Sequence, residues 1–150
     1  MMKTMGRMFT EGSKCIWVAP SGGRDRRDSS SGAYVVADFD AKSVEMFRIM
    51  AGKSGRRVHF YPLSLLTHTV CPPPKEVGGA IGEQRVVKYA PAGVYFGDEV
   101  DLDKFPPGCT SSSTENRDRL RQEFAAHMHS LVTQNYERLA AELRPWLRGN

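Results

Sequence analysis

The residues best suited to chemistry stand together in Pro20-Ser21-Gly22-Gly23-Arg24-Asp25-Arg26. Successive glycines let a backbone turn tightly and bring its N–H groups up to a ligand. Two arginines follow at once, and guanidinium groups make planar, two-pronged, permanently charged contacts to phosphate oxygens. Asp25 between them is suited to hold one arginine by a salt bridge. Just upstream, Cys15-Ile16-Trp17-Val18-Ala19 is an unbroken apolar run bounded by Gly12 and Pro20. That pattern reads as a short strand buried on both faces of a mostly parallel sheet. A loop leaving the C-terminal end of such a strand is where open α/β sheets place their ligands. Residue type and spacing alone leave two readings open, a phosphate-gripping loop and a solvated charged loop. The run is not a P-loop, because G-x-x-x-x-G-K-[ST] is absent, and it lacks the third glycine of a dinucleotide fingerprint.

The elements that must position this loop follow from hydrophobic spacing. Met5, Met8 and Phe9 recur at helical intervals before Gly12, so the opening residues read as a helix beginning at or before Met1. Arg24 to Gly32 reads as loop. Val44, Phe47 and Met50 give a second helix over Ser43 to Lys53, with Gly55 as its stop. Val58 to Leu66 is strand-like, and Pro72-Pro73-Pro74 marks an irregular excursion. Arg85 to Tyr89 reads as a further strand and Gly93 to Phe96 as a short edge strand. After a Pro, Gly and Ser-rich loop from Pro106 to Thr114, Ser112 and Glu115 form a capping-box pattern. Leu120, Phe124, Met128, Leu131, Tyr136, Leu139 and Leu143 then define an amphipathic terminal helix of about 28 residues. Helix, strand, helix, strand in this order predicts an α/β layer with crossover connections, in one unit without internal repeats.

Composition narrows the function classes. Lys and Arg total 21 against 17 Asp and Glu, and the pI of about 9.1 leans toward anionic partners without the charge density of a dedicated nucleic-acid binder. No run approaches the roughly 18 apolar residues of a membrane span, so the sequence reads as soluble. Cys15, Cys71 and Cys109 form no C-x-x-C pair and read as small buried hydrophobes, with neither a disulfide framework nor a metal site implied. His127 and His129, two apart on the terminal helix, lack the i, i+4 spacing of metal ligands. His59 reads as a satisfied core histidine, and His68 carries no signal of its own. Arg117, Arg119, Arg121, Arg138, Arg144 and Arg148 read first as a solvated face and second as a docking face for an acidic partner.

The stretch Ile16-Trp17-Val18-Ala19-Pro20-Ser21-Gly22-Gly23-Arg24-Asp25-Arg26 resembles the third acyltransferase block of the soluble, plastid-type glycerol-3-phosphate acyltransferases. Phe39-Asp40-Ala41-Lys42-Ser43-Val44, Tyr61-Pro62-Leu63-Ser64-Leu65-Leu66, the Pro72 to Pro74 triplet and Ile81-Gly82-Glu83-Gln84-Arg85-Val86-Val87 are similar to the same family, in the same order. The likeness runs from about Lys14 into the terminal helix. Lysophosphatidate acyltransferases usually read Pro-Glu-Gly-Thr-Arg at this block, which sets the sequence with the plastid branch. Arg27 stands where the family commonly has proline, a change expected to loosen the loop while adding a charge.

The resemblance implies an α/β fold, its mostly parallel or mixed sheet flanked by helices, in which residues 1–150 are the C-terminal part of a catalytic domain truncated at its N-terminus. It implies transfer of an acyl group from acyl carrier protein or acyl-CoA to the sn-1 hydroxyl of glycerol 3-phosphate, in the plastid stroma, with no metal or prosthetic group. Nucleic acid is not among the implied partners. Arg24 and Arg26 bind the substrate phosphate in this scheme, on the loop formed by Ser21, Gly22 and Gly23. The family's catalytic histidine is followed five positions later by aspartate, and it precedes this block. Here His59 is followed at that offset by Ser64, His68 by Pro73, His127 by Val132 and His129 by Gln134. No catalytic residue is therefore assigned, and the chain by itself is expected to be inactive. The competing expectation is a truncated paralogue or an anion-binding module that does no acyl transfer.

Overall fold

The computed structural model describes residues 2–22, 27–73, 86–105 and 113–147. They belong to two compact units, one of Met1–Gly23, Ala37–Tyr61 and Asp98–Ser130, the other of Arg24–Val36, Pro62–Gly97 and Leu131–Asn150.

The first unit opens with α1, Met2–Glu11, tied along its surface by an Arg7 to Glu11 ion pair. It stops where expected. Gly12 adopts φ +73, a left-handed conformation that only glycine takes at little cost, and its N–H returns to the Met8 carbonyl. The Arg56 Nε then donates to the Thr10 carbonyl at 2.5 Å, capping the helix end from another segment of the same unit. Helix α2, Ala41–Lys53, begins at Asp40, whose carboxylate accepts from the Ser43 N–H at 3.0 Å, and Gly55 at φ +68 follows its end. Its buried face is Ala41, Val44, Glu45, Arg48 and Ala51, so the expected helix is present while Phe47 and Met50 are only half-buried. The small alanines leave room there for a charge pair. Glu45 and Arg48 side chains are each 3% exposed and bonded to one another, and Arg48 Nη1 also donates to the Phe105 carbonyl at 2.6 Å. Phe124 of the long helix α3, Thr114–Leu147, completes this core beneath the Arg48 guanidinium at 4.3 Å.

The second unit contains the single sheet among the described residues. β1, Leu63–Leu66, pairs antiparallel with β2, Gly93–Phe96, in the register Leu63 to Phe96 and Leu66 to Gly93. Ser64 and Leu66 point inward, and the Ser64 hydroxyl donates to the Val132 carbonyl of α3. A Cβ at Gly93 would lie 2.6 Å from Leu139 Cδ1, so glycine is what admits α3 to this face. The edge strand is thus where the sequence places it, and α3 is longer than expected, at 34 residues.

Several expectations need correction. The sheet among the described residues is one antiparallel pair, so the mostly parallel or mixed sheet is not seen there, and β1 covers only the end of the anticipated Val58 to Leu66 strand. Cys15 to Ala19 forms no strand: Cys15 is exposed and Trp17 is 65% exposed. Val86 to Tyr89 is likewise irregular, with Val87 73% exposed. Apolar, β-branched sequence supplies strand propensity, but a strand exists only when its backbone is paired, and neither segment has a ladder partner among the described residues. Arg85, the Ile81 to Gln84 run, Pro74, Cys109, the Pro106 to Ser112 loop with its capping serine, and Arg148 lie outside the described residues.

Candidate functional site

Ala19 to Gly22 is a tight turn in the first unit, closed by the Gly22 N–H on the Ala19 carbonyl at 3.0 Å. Gly22 has φ +73, and a Cβ there would meet nothing within 4 Å, so glycine is needed for its conformation rather than for space. The Pro20 carbonyl accepts from the Asp40 N–H at 3.0 Å, which fastens the turn to the start of α2. Ser21 is half-buried in the turn. Gly23, Arg24, Asp25 and Arg26 lie outside the described residues, so of the anticipated site residues the structure places Ser21 and Gly22.

The chain beyond the two arginines belongs to the second unit and is closely bonded. Arg27 and Tyr34 form an antiparallel bridge, and between them Asp28 N–H donates to the Ala33 carbonyl and Gly32 N–H to the Asp28 carbonyl, each at 2.8 Å. One oxygen of Asp28 accepts from the backbone and hydroxyl of both Ser30 and Ser31. The Ser30 hydroxyl first, then the Ser31 bonds, hold this carboxyl down to about 2, so it stays an anion engaged with its own loop. Arg27 is not loose, as its replacement of a proline suggests. Its Nη1 donates to the Gly32 carbonyl at 3.1 Å and its guanidinium lies 4.8 Å from the Tyr34 ring centre. Tyr34 stacks on His68 at 3.8 Å, and His68 Nδ1 meets the Tyr136 hydroxyl at 3.3 Å. Burial first, and the Arg27 charge second, lower the pKa of His68, so it is neutral in this stack at neutral pH.

The remaining histidines have local roles. His59 is exposed, not a core residue, and its Nδ1 pairs with Glu99 at 2.6 Å while the Tyr61 hydroxyl donates to the other Glu99 oxygen. The His59 bond chiefly holds the Glu99 carboxyl below its usual range. His127 stacks on Phe105 at 4.5 Å, and His129 sets its ring edge-on to Phe39. On α3, Arg119 pairs with Glu123, Arg121 with Asp118, and Arg138 donates to the Tyr95 hydroxyl, so much of the basic face is bonded within its own unit.

No family model matches the chain. Comparison with curated proteins is decisive instead: the chloroplastic glycerol-3-phosphate acyltransferase of Pisum sativum is 34% identical over 141 residues, 94% of this chain. The chain is a relative of the plastid glycerol-3-phosphate acyltransferases. Chloroplastic enzymes of the same name from Phaseolus vulgaris and Arabidopsis thaliana are 33% and 34% identical over 143 residues, 95% of this chain. The chain spans about 30% of the length of these relatives. Among the described residues no helix is long and apolar enough to cross a membrane. Sequence reading missed the stack of Tyr34 on His68 and the Tyr136 hydroxyl bonded to it; the only signal for it was a set of isolated aromatic residues far apart in the chain.

Proposed function

We propose that this chain supplies the phosphate-gripping part of a plastid glycerol-3-phosphate acyltransferase. The supporting observation is likeness over 94% of the chain to enzymes of that name, embracing a Pro-Ser-Gly-Gly-Arg-Asp-Arg block that opens on the left-handed Gly22 turn. In this reading the substrate is glycerol 3-phosphate, the donor is acyl carrier protein or acyl-CoA, and the product is acylated at the sn-1 oxygen. Residues 1–150 form the C-terminal part of an α/β catalytic domain of the family type, acting in the plastid stroma. The strand-like runs Ile16 to Ala19 and Val86 to Tyr89, which form no ladder among the described residues, would then find ladder partners in the rest of that domain.

Arg24 and Arg26 would each present a planar fork of N–H donors to the phosphate, and the Gly22-Gly23 backbone keeps side chains out of its way. Binding the phosphate at one end of the acceptor leaves its sn-1 hydroxyl at a fixed distance from the base. Orientation of this kind is worth up to about 7–11 kcal/mol of a bimolecular barrier. Chemistry follows the general-base route: a histidine oriented by aspartate takes the hydroxyl proton, the oxygen attacks the thioester carbonyl, and the thiolate leaves with a proton from the imidazolium. That pair is not among this chain's four histidines. A chimera in which residues 14–147 replace the matching part of the pea enzyme tests the reading. It is expected to retain acyl transfer, and Arg24→Ala within it to raise the glycerol 3-phosphate KM more than ten-fold. A folded chimera with an unchanged KM on Arg24→Ala would refute the assignment.

A further inference from the structure

We propose that the outward face of α2 is a docking surface for an acidic amphipathic helix of a partner protein. The inference does not draw on the arginine loop, and every residue it uses lies in the first unit.

Helix α2 carries two distinct faces. Ala41, Val44, Glu45, Arg48 and Ala51 are buried. Lys42, Met46, Ile49, Met50 and Lys53 recur at i, i+4, i+7, i+8 and i+11, which at 3.6 residues per turn sets them in one stripe on the opposite side. The side of a surface helix turned away from its core is ordinarily polar. Here the middle of the stripe is Met46, Ile49 and Met50, each half-buried, and an exposed lysine stands at each end. The stripe is the floor of a groove of about 390 Å³ that Glu45 and, from α3, Arg121 also line.

Charge and length select the occupant. Glu45 is paired with Arg48 and Arg121 with Asp118, whereas Lys42 and Lys53 form no ion pair among the described residues. The groove is thus left with a positive charge at both ends. Eleven residues separate the two lysines, a rise of about 16 Å along the helix. A fitting partner brings apolar side chains to the middle and carboxylates to both ends over three turns, as an acidic amphipathic helix laid along α2 does. Two methionines suit such a floor, because their flexible side chains repack around what they meet. A second copy laid antiparallel on the same stripe would set lysine against lysine. A flat anionic surface would meet the lysines but leave the half-buried side chains uncovered.

The test is fluorescence anisotropy of the intact chain with a labelled, alanine-based helical peptide of about 18 residues, with leucine along one face and glutamate flanking it. Saturable binding is expected, weakened about ten-fold by Ile49→Ser and about ten-fold or more by Lys42→Glu with Lys53→Glu. Arg119→Glu, outside the groove, is expected to leave the Kd unchanged. Absence of binding, equal affinity for a peptide with lysine in place of glutamate, or a wild-type Kd in the lysine double variant overturns the proposal. Its two substitutions are at exposed positions, so this variant decides the matter if Ile49→Ser does not fold. Dimerisation of the chain abolished by Ile49→Ser, or binding of phosphatidylglycerol vesicles in place of the peptide, would assign the face to another occupant and equally overturn it.

Discussion

Replacing Arg48 with methionine removes the cation from a site where both members of an ion pair are 3% exposed. The volume is roughly retained, so the loss is electrostatic. Glu45 would keep a negative charge out of water after losing the Nε donor at 2.8 Å and its second guanidinium contact, and the Phe105 carbonyl would lose a donor at 2.6 Å. Removing one partner of a buried pair costs about 3–5 kcal/mol, because the other charge stays buried. Set against a total stability of about 5–15 kcal/mol for domains of this kind, that is a large share. With a urea slope near 2 kcal/mol per M, the midpoint should fall by about 2 M, followed by far-UV circular dichroism. The double change Glu45→Leu with Arg48→Met should lie much closer to wild type, since it replaces both buried charges by apolar groups together. A midpoint shift under about 0.5 M for Arg48→Met, or a double variant as unstable as the single one, would refute this account.

Three further outcomes follow from the geometry. Gly93→Ala puts a Cβ 2.6 Å from Leu139 Cδ1 and 2.7 Å from Leu143 Cδ1, so thermal unfolding should show a loss of about 1–3 kcal/mol from overpacking. His68 has a lowered pKa in the folded chain, so between that value and the ordinary 6.5 the unfolded chain binds more protons; stability should be full above pH 6.5, fall as pH drops below it and then level off, and His68→Gln should abolish this step in urea midpoints measured across pH. Asp40→Ala should lower Tm at neutral pH by removing the α2 cap, and because the Asp40 carboxyl is held below its usual range by Ser43, the difference from wild type should vanish as acid protonates it.

Helices were legible because their signals are local. Gly12 and Gly55 adopt the left-handed conformations that stop α1 and α2, and the spacing from Leu120 to Leu143 sets out most of α3. Strands were less so, because Trp17 and Val87 have strand propensity and no backbone partner among the described residues, and pairing is not written in either segment. The Glu45 and Arg48 pair escaped notice because charged residues on a helix read as solvent-facing, and only the Phe105 carbonyl and the Phe124 ring, distant in sequence, reverse that. The turn at Gly22 was legible by residue type. The Tyr34 and His68 stack was not: Tyr136, which bonds His68, lies 68 residues from it, and nothing local to Tyr34 announces a stack.

The central claim is that Arg24 and Arg26 give this chain a grip on glycerol 3-phosphate, and calorimetric titration of the wild type beside Arg24→Ala tests it most directly. A charge-assisted bond to phosphate is worth about 1.5–3 kcal/mol, so the account predicts saturable binding that inorganic phosphate displaces and glycerol does not, weakened about ten- to hundred-fold in Arg24→Ala. Equal affinity in both proteins, or displacement by glycerol alone, would contradict it.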